Sequence, residues 1–312
     1  MSLGSVSVDL DGLRCYHEIH GLGPGPETGT DPIFAASLSR FAELFEELGL
    51  RATFFVVGRD LEDPTQRARV ALLAAAGHEI ANHSLDHRYD LTLLEPEAIE
   101  QQVGGAARAI EAAVGRAPIG FRAPGYVVSD ALFEVLARTG VRYDSSVFPC
   151  PAYHGAKALA MARIRLAGRR SRSILGSPRV LVAPPDPYAV GRRWFARRTS
   201  GGDPARLVEL PIGVATGARL PFIGTTLVLA GPRGAAWLGH RMRDRPFVNI
   251  ELHAIDLCDP SDPGLASIAG VQPDLRVSLA RKTEALRAAI GQVRRDGARF
   301  VTLAEAAATG EW

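Results

Sequence analysis

Short apolar runs alternate with amphipathic segments of helical length, and this alternation constrains the fold more than any other feature of the chain. Runs of strand length lie at Ser5–Asp9, Arg51–Val57, His78–Ala81, Ile119–Arg122, Arg142–Asp144, Leu207–Pro211, Phe247–His253 and Arg299–Leu303. Helical segments fall between most of them, at about 32–48, Pro64–Ala76, Glu95–Val114, Ser129–Thr139 and Leu275–Arg295. That order predicts α/β units on a mostly parallel sheet. Seven or so strands with intervening helices predict a closed or nearly closed barrel. Local chemistry supports the boundaries: Thr30-Asp31-Pro32 sets a polar cap before a proline in the first turn. Phe41, Leu44, Phe45 and Leu48 then recur at helical spacing up to Gly49, a common terminator. A Gly/Pro-rich loop, Gly21 to Thr30, precedes that helix.

With 312 residues and 46% hydrophobic content, the chain can bury a sizeable core, which excludes wholesale disorder. No internal repeat is visible, and 1–312 reads as a single domain. The start, Met-Ser-Leu-Gly-Ser-Val-Ser-Val-Asp, lacks a basic region followed by a long apolar run and so does not read as a signal peptide. No window holds the roughly 18 apolar residues of a membrane span. Cys15, Cys150 and Cys258 are too few and too widely spaced for a disulfide framework or zinc ribbon. A reducing, cytoplasmic setting is the expectation. One segment departs from the rest. Between Cys150 and Arg206, eleven arginines and Lys157 face only Asp186 and Asp203, a net charge of +10 in a chain whose total is +2. Residues 150–206 therefore read as a basic insertion.

Five polar constellations fall at the C-terminal ends of strands, where parallel α/β barrels assemble their active sites. Asp9 and Asp11, two residues apart, project to one side of the first strand. His83 and His87 have H-x-x-x-H spacing, so a helical turn would place both imidazoles on one face. With Asp11 they make a three-ligand metal set with open positions for water and substrate. His78, at the other end of the same strand, reads as structural. Arg122, in Phe121-Arg122-Ala123-Pro124-Gly125-Tyr126, can pair with a carboxylate. Tyr143-Asp144-Ser145-Ser146 and Leu252-His253 end two further strands.

In this order the motifs Asp-Leu-Asp, His-Ser-Leu-Asp-His, Arg-Ala-Pro, Tyr-Asp-Ser-Ser and Leu-His resemble the polysaccharide deacetylases of carbohydrate esterase family 4, the NodB-homology group. Ala52-Thr53-Phe54-Phe55-Val56 and Gly77-His78-Glu79-Ile80-Ala81-Asn82-His83 are also typical of it. The likeness runs from about Ser5 to Pro149 and resumes from about Val208 to Asp256. It implies a distorted (β/α)7 barrel. It implies that Asp11, His83 and His87 bind one divalent metal, zinc before Co2+, Ni2+ or Fe2+. Asp9 would be the general base, Arg122 would hold it ionised, and His253 would protonate the leaving amine. Backbone N–H groups around Gly125 and Tyr126 would bind the oxyanion. The activity implied is hydrolysis of an N-acetyl or N-formyl amide on an amino sugar.

Departures from the pattern matter. Asp-x-Asp replaces the adjacent Asp-Asp of many secreted members, and resembles the branch with intracellular enzymes acting on small or lipid-linked amides. Gly125 stands where many relatives have Tyr. The group orienting His253 is open between Asp144 and Asp256. The basic insertion suggests a phosphate- or lipid-linked substrate, or peripheral contact with an anionic membrane. No nucleic-acid-binding module is visible. Competing readings are a hydrolase of non-sugar linear or cyclic amides, an iron oxygenase using the same two histidines and carboxylate, and a carbohydrate-binding relative without catalysis.

Overall fold

A computed structural model of the protein describes residues 2–25, 30–197 and 207–310. Part of the predicted Gly/Pro-rich loop (26–29) and the end of the basic segment (198–206) lie outside the described residues.

In chain order the elements are β1 (Leu3–Leu10), α1 (Leu13–His20), α2 (Pro32–Glu47), β2 (Thr53–Val56), α3 (Pro64–Ala75), β3 (Glu79–Asn82), α4 (Pro96–Val114), β4 (Gly120–Phe121), α5 (Asp130–Arg138) and β5 (Tyr143–Asp144). Then follow α6 (Pro151–Leu166), β6 (Tyr188–Ala189), β7 (Val208–Glu209), α7 (Gly224–His240), β8 (Phe247–His253), α8 (Ala266–Ala269), α9 (Leu279–Arg295), β9 (Arg299–Phe300) and α10 (Leu303–Thr309). The sheet runs β6-β7-β5-β4-β3-β2-β1-β8, with β9 beside the start of β1. All pairings are parallel except β6 with β7. Seven parallel strands, β8 through β7, thus form the curled sheet expected of a distorted barrel. Its ladder stays open between β7 and β8. There Asn249 bridges the gap: its carbonyl accepts from Gly213 N–H at 3.0 Å and its Nδ2 donates to Ser145 Oγ at 3.0 Å.

The alternation along β1 shows how sequence builds the two sides. Val6, Val8 and Leu10 pack outward with Ile33, Leu38 and Phe41 of α2, while Ser7 and Asp9 face inward to Arg122. The cap the sequence predicts is made, Asp31 accepting from Ile33 N–H at 2.9 Å, and Ser129 caps α5 in the same way through Leu132 N–H. At the N-terminal end of the strands the interior is stopped by Leu303 and Ala306 of α10, around a buried Glu79 that accepts from Thr53, Tyr143 and the Ala304 N–H. Three helices of eight or more residues escape the sequence reading, as do the short α8 and α10. In α1 the eight residues are short and mixed in polarity, and α7 is interrupted by Gly231 (φ 68°) and Pro232. The third, α6, begins the basic segment, which also supplies β6. Among the described residues, no helix is long and apolar enough to cross a membrane.

Candidate active site

Six of the predicted residues meet at the C-terminal ends of β1, β3, β4 and β8. Asp11 Oδ1 lies 3.1 Å from His87 Nε2 and 3.4 Å from His83 Nε2. His253 Nε2 is 3.8 Å from Asp11 Oδ2, and Asp9 Oδ2 is 3.8 Å from His83 Nε2. Asp9, Asp11, His83, His87 and Arg122 are buried, whereas the His253 side chain keeps 22% exposure. Of the six, His253 alone keeps appreciable contact with solvent.

The route by which the two histidines converge differs from the expected helical turn. Both follow β3 in an irregular loop, with Ser84 at φ 66° and His87 at φ 54°. Left-handed backbone is costly for residues with a Cβ, and such strain concentrates at functional sites. Ser84 Oγ accepts from His87 N–H at 3.1 Å, and Asn82 Oδ1 accepts from Ser84 N–H at 2.8 Å, so side chains hold the turn. His83 Nδ1 lies 2.8 Å from the Arg122 carbonyl. A carbonyl only accepts, so Nδ1 carries a proton, and Nε2 is the ring nitrogen that faces Asp11. His78 is structural as expected: its Nδ1 accepts from Ala52 N–H at 3.1 Å.

Arg122 is fully buried and occupied on every side. Its guanidinium donates to Asp9 Oδ1 at 2.6 Å, Ser7 Oγ at 2.9 Å, and the Ser145 carbonyl and Oγ at 2.7 and 2.8 Å. It also sits 4.1 Å above the centre of the Phe55 ring. One Asp9 oxygen is thus fixed by a buried cation, and the other points at the His83–Asp11 side.

A metal fits these residues. Asp9 Oδ2, Asp11 Oδ1 and both ring nitrogens of His87 are buried without a hydrogen-bond partner. Leaving such atoms unsatisfied costs roughly 1–3 kcal/mol each. Asp11, His83 and His87 offer ligand atoms that all lie within 4.8 Å of one another. One carboxylate oxygen and two imidazoles make a donor set suited to a divalent ion with open positions. Burial alone would raise the Asp11 carboxyl, but the charge of His87 and the contacts with His83 hold it well below the usual carboxylate range.

Three expected roles need revision. Asp144 does not reach His253; it accepts from Ser146 N–H at 3.0 Å and Ser146 Oγ at 2.8 Å, and it pairs in register with Glu209. Asp256 and His253 cap one another: Asp256 Oδ2 accepts the His253 N–H at 2.8 Å, and the Asp256 backbone meets the His253 side chain, but the Asp256 carboxylate does not face the imidazole. The group facing the imidazole is Glu251, whose Oε1 is 3.0 Å from His253 Nδ1. Burial alone would lower His253, yet the Glu251 charge carries it well above the usual histidine range. Glu251-Leu252-His253 carried the missed signal, since residues two apart on a strand share a face. Near Gly125 (φ 63°), the Tyr126 N–H is already donated to the Ala123 carbonyl at 3.0 Å. Tyr126 instead presents its hydroxyl 3.3 Å from His253 Nε2. The Gly125 carbonyl accepts from Lys157 Nζ of α6 at 3.0 Å, a contact no motif announced.

The family profile for polysaccharide deacetylase matches residues 28–143. A peptidoglycan deacetylase of Helicobacter pylori is 26% identical over 147 residues, covering 46% of this chain and 49% of its own. A chitooligosaccharide deacetylase of Sinorhizobium fredii is 34% identical over 116 residues, covering 37% and 51%. A solved structure from Mycobacterium smegmatis, provisionally named as a polysaccharide deacetylase, superposes with TM-score 0.57 at 19% identity, over 99% of this chain and 90% of that one. Over residues 28–143 the chain is similar to the polysaccharide deacetylases. The matched curated deacetylases are spanned over only about half their length. The profile spans 28–143, so His83, His87 and Arg122 fall inside it, whereas Asp9, Asp11, Glu251 and His253 lie outside it, brought to the matched part by β8 pairing with β1 and β1 with β2.

Proposed function

We propose that the chain is a metal-dependent amidohydrolase that removes an N-acyl group, acetyl or formyl, from an amino sugar. The observation that carries this reading is the convergence of unsatisfied, buried donor atoms of Asp9, Asp11 and His87 beside a half-open His253.

Asp11, His83 and His87 would hold the ion. A divalent ion there supplies Lewis acidity toward an amide carbonyl and toward water. Asp9, pinned by Arg122, is positioned to take a proton from attacking water through its free Oδ2. His253, charged through Glu251, is positioned to hand a proton to the departing amine. Each positioned proton transfer contributes roughly 10²–10⁴ in rate. The Tyr126 hydroxyl next to His253 Nε2 would hold the donor's direction or meet the developing oxyanion.

The test is elemental analysis of the purified protein, with acetate and formate release from N-acylated glucosamine oligomers. About one metal ion per chain is expected, lost in both Asp11→Ala and His83→Ala together with turnover. A protein that neither contains metal nor gains thermal stability with zinc, cobalt or nickel would remove the basis of the mechanism.

A further inference from the structure

Beside the metal-ligand cluster an open groove of about 1250 Å³ runs along α1, with His87 in its wall. Arg14, Arg59, Arg88, Arg169, Arg170 and Arg172 line it, against three carboxylates. Those carboxylates are already shared. Glu18 pairs with Arg14 at 3.3 Å and with Arg172 at 3.0 Å, Asp86 with Arg59 at 3.2 Å, and Asp90 with Arg88 at 2.7 Å. Among the described residues, Arg169 and Arg170 have no ion-pair partner. They arrive on the segment after α6, part of the basic insertion, which is anchored on α1 by Arg172 N–H donating to the Glu18 carbonyl at 2.9 Å. A side chain at Gly21 would collide with the Arg170 backbone at 2.6 Å, so the two segments are fitted to one another. The insertion therefore contributes one wall of the groove, and its excess charge faces the space next to His87.

We propose that this groove binds a phosphate or diphosphate carried by the substrate, several guanidinium groups forking onto its oxygens. The space is too large and too cationic for the small carboxylate that deacylation releases. Because His87 forms part of the wall, an occupant of the groove lies next to the reacting centre and belongs to the same molecule as the amide. The proposal rests on the amidohydrolase reading for that last step, while the anion site itself can be tested without turnover.

Inorganic pyrophosphate is the first probe, titrated calorimetrically into the wild type, His83→Ala, and Arg169→Ser/Arg170→Ser. Binding is expected in the wild type and His83→Ala and weakened about tenfold or more in the double variant. Equal binding by the double variant, absence of binding in the wild type, or loss confined to His83→Ala (the anion then sitting on the metal) would each overturn the proposal. Uridine diphosphate and monomeric dodecyl phosphate, run in parallel, separate a nucleotide source of the anion from a lipid source. Tighter binding of either than of pyrophosphate supports the site and assigns its source. Anion binding that persists in a protein unable to release acetate or formate would instead count against the amidohydrolase reading alone.

Discussion

Two pairs of buried carboxyl groups lie at strand ends in this molecule and have opposite characters. Asp9 and Asp11 end β1, facing Arg122 and two histidines. Asp144 and Glu209 stand side by side on β5 and β7, and they receive neutral donors, Ser146 and the Val147 N–H. Burial, then the charge of Asp144, pushes Glu209 well above the usual carboxylate range. The first pair is compensated by cations and keeps unsatisfied oxygens directed at a common space. Burial and adjacency alone therefore do not mark a reacting site. Nor does an unsatisfied oxygen, since Glu209 Oε2 is also buried without a hydrogen-bond partner; what differs between the pairs is the charge of the groups around them.

The largest effect should come from removing the cation that distinguishes the pairs. Arg122→Met leaves Asp9 buried without its counter-charge and should cost ~3–5 kcal/mol of stability, with turnover lost. Urea unfolding measures the first and acetate release the second. Adding Asp9→Asn to Arg122→Met should restore part of the stability but no activity, as expected for coupled neighbours. If Arg122→Met unfolds at the wild-type midpoint, the cation is not what sets the first pair apart.

A second test concerns His253. Burial alone would lower its imidazole, and the Glu251 charge more than reverses that. A general acid works while protonated, so the alkaline limb of the kcat/KM profile should move to lower pH in Glu251→Gln, where the charge is gone. The loss at pH 8 should stay within the roughly 10²–10⁴-fold that a positioned acid contributes. An unmoved alkaline limb would show that Glu251 only packs against His253.

Much of this was legible in the sequence for physical reasons. Period-two and period-3.6 patterns gave the strands of the parallel sheet and the helices α2, α3, α4, α5 and α9, and the order of motifs at strand ends placed Asp9, Asp11, His83, His87, Arg122 and His253 together. Other features depend on geometry that spacing does not encode. His83 and His87 share a space because Ser84 and His87 adopt left-handed backbone, not because a helix turns once between them. Asp144 sits at a strand end like the others, but its register partner is Glu209 and it faces away from His253. The helix in residues 150–206 is not legible because Ile164 is the one buried residue of α6, so its apolar periodicity is weak.

The smallest expected effect belongs to the second pair, and it decides whether Asp144 has any part in the chemistry. In the unfolded chain both carboxyls ionise in the ordinary range, whereas Glu209 in the folded protein is held well above it. The native state therefore binds more protons than the unfolded state once pH passes the ordinary carboxylate range. Stability from this pair is present at acidic pH and falls as pH rises toward the elevated value. Asp144→Asn removes the neighbouring charge that helps to raise Glu209 and leaves an amide oxygen to accept from Ser146. The melting temperature should consequently decline less between pH 5 and pH 8 than in the wild type, by a few degrees at most, with kcat within about twofold. A fall in kcat of more than about tenfold, with the fold intact, would return Asp144 to the reacting site and erase the distinction between the two pairs.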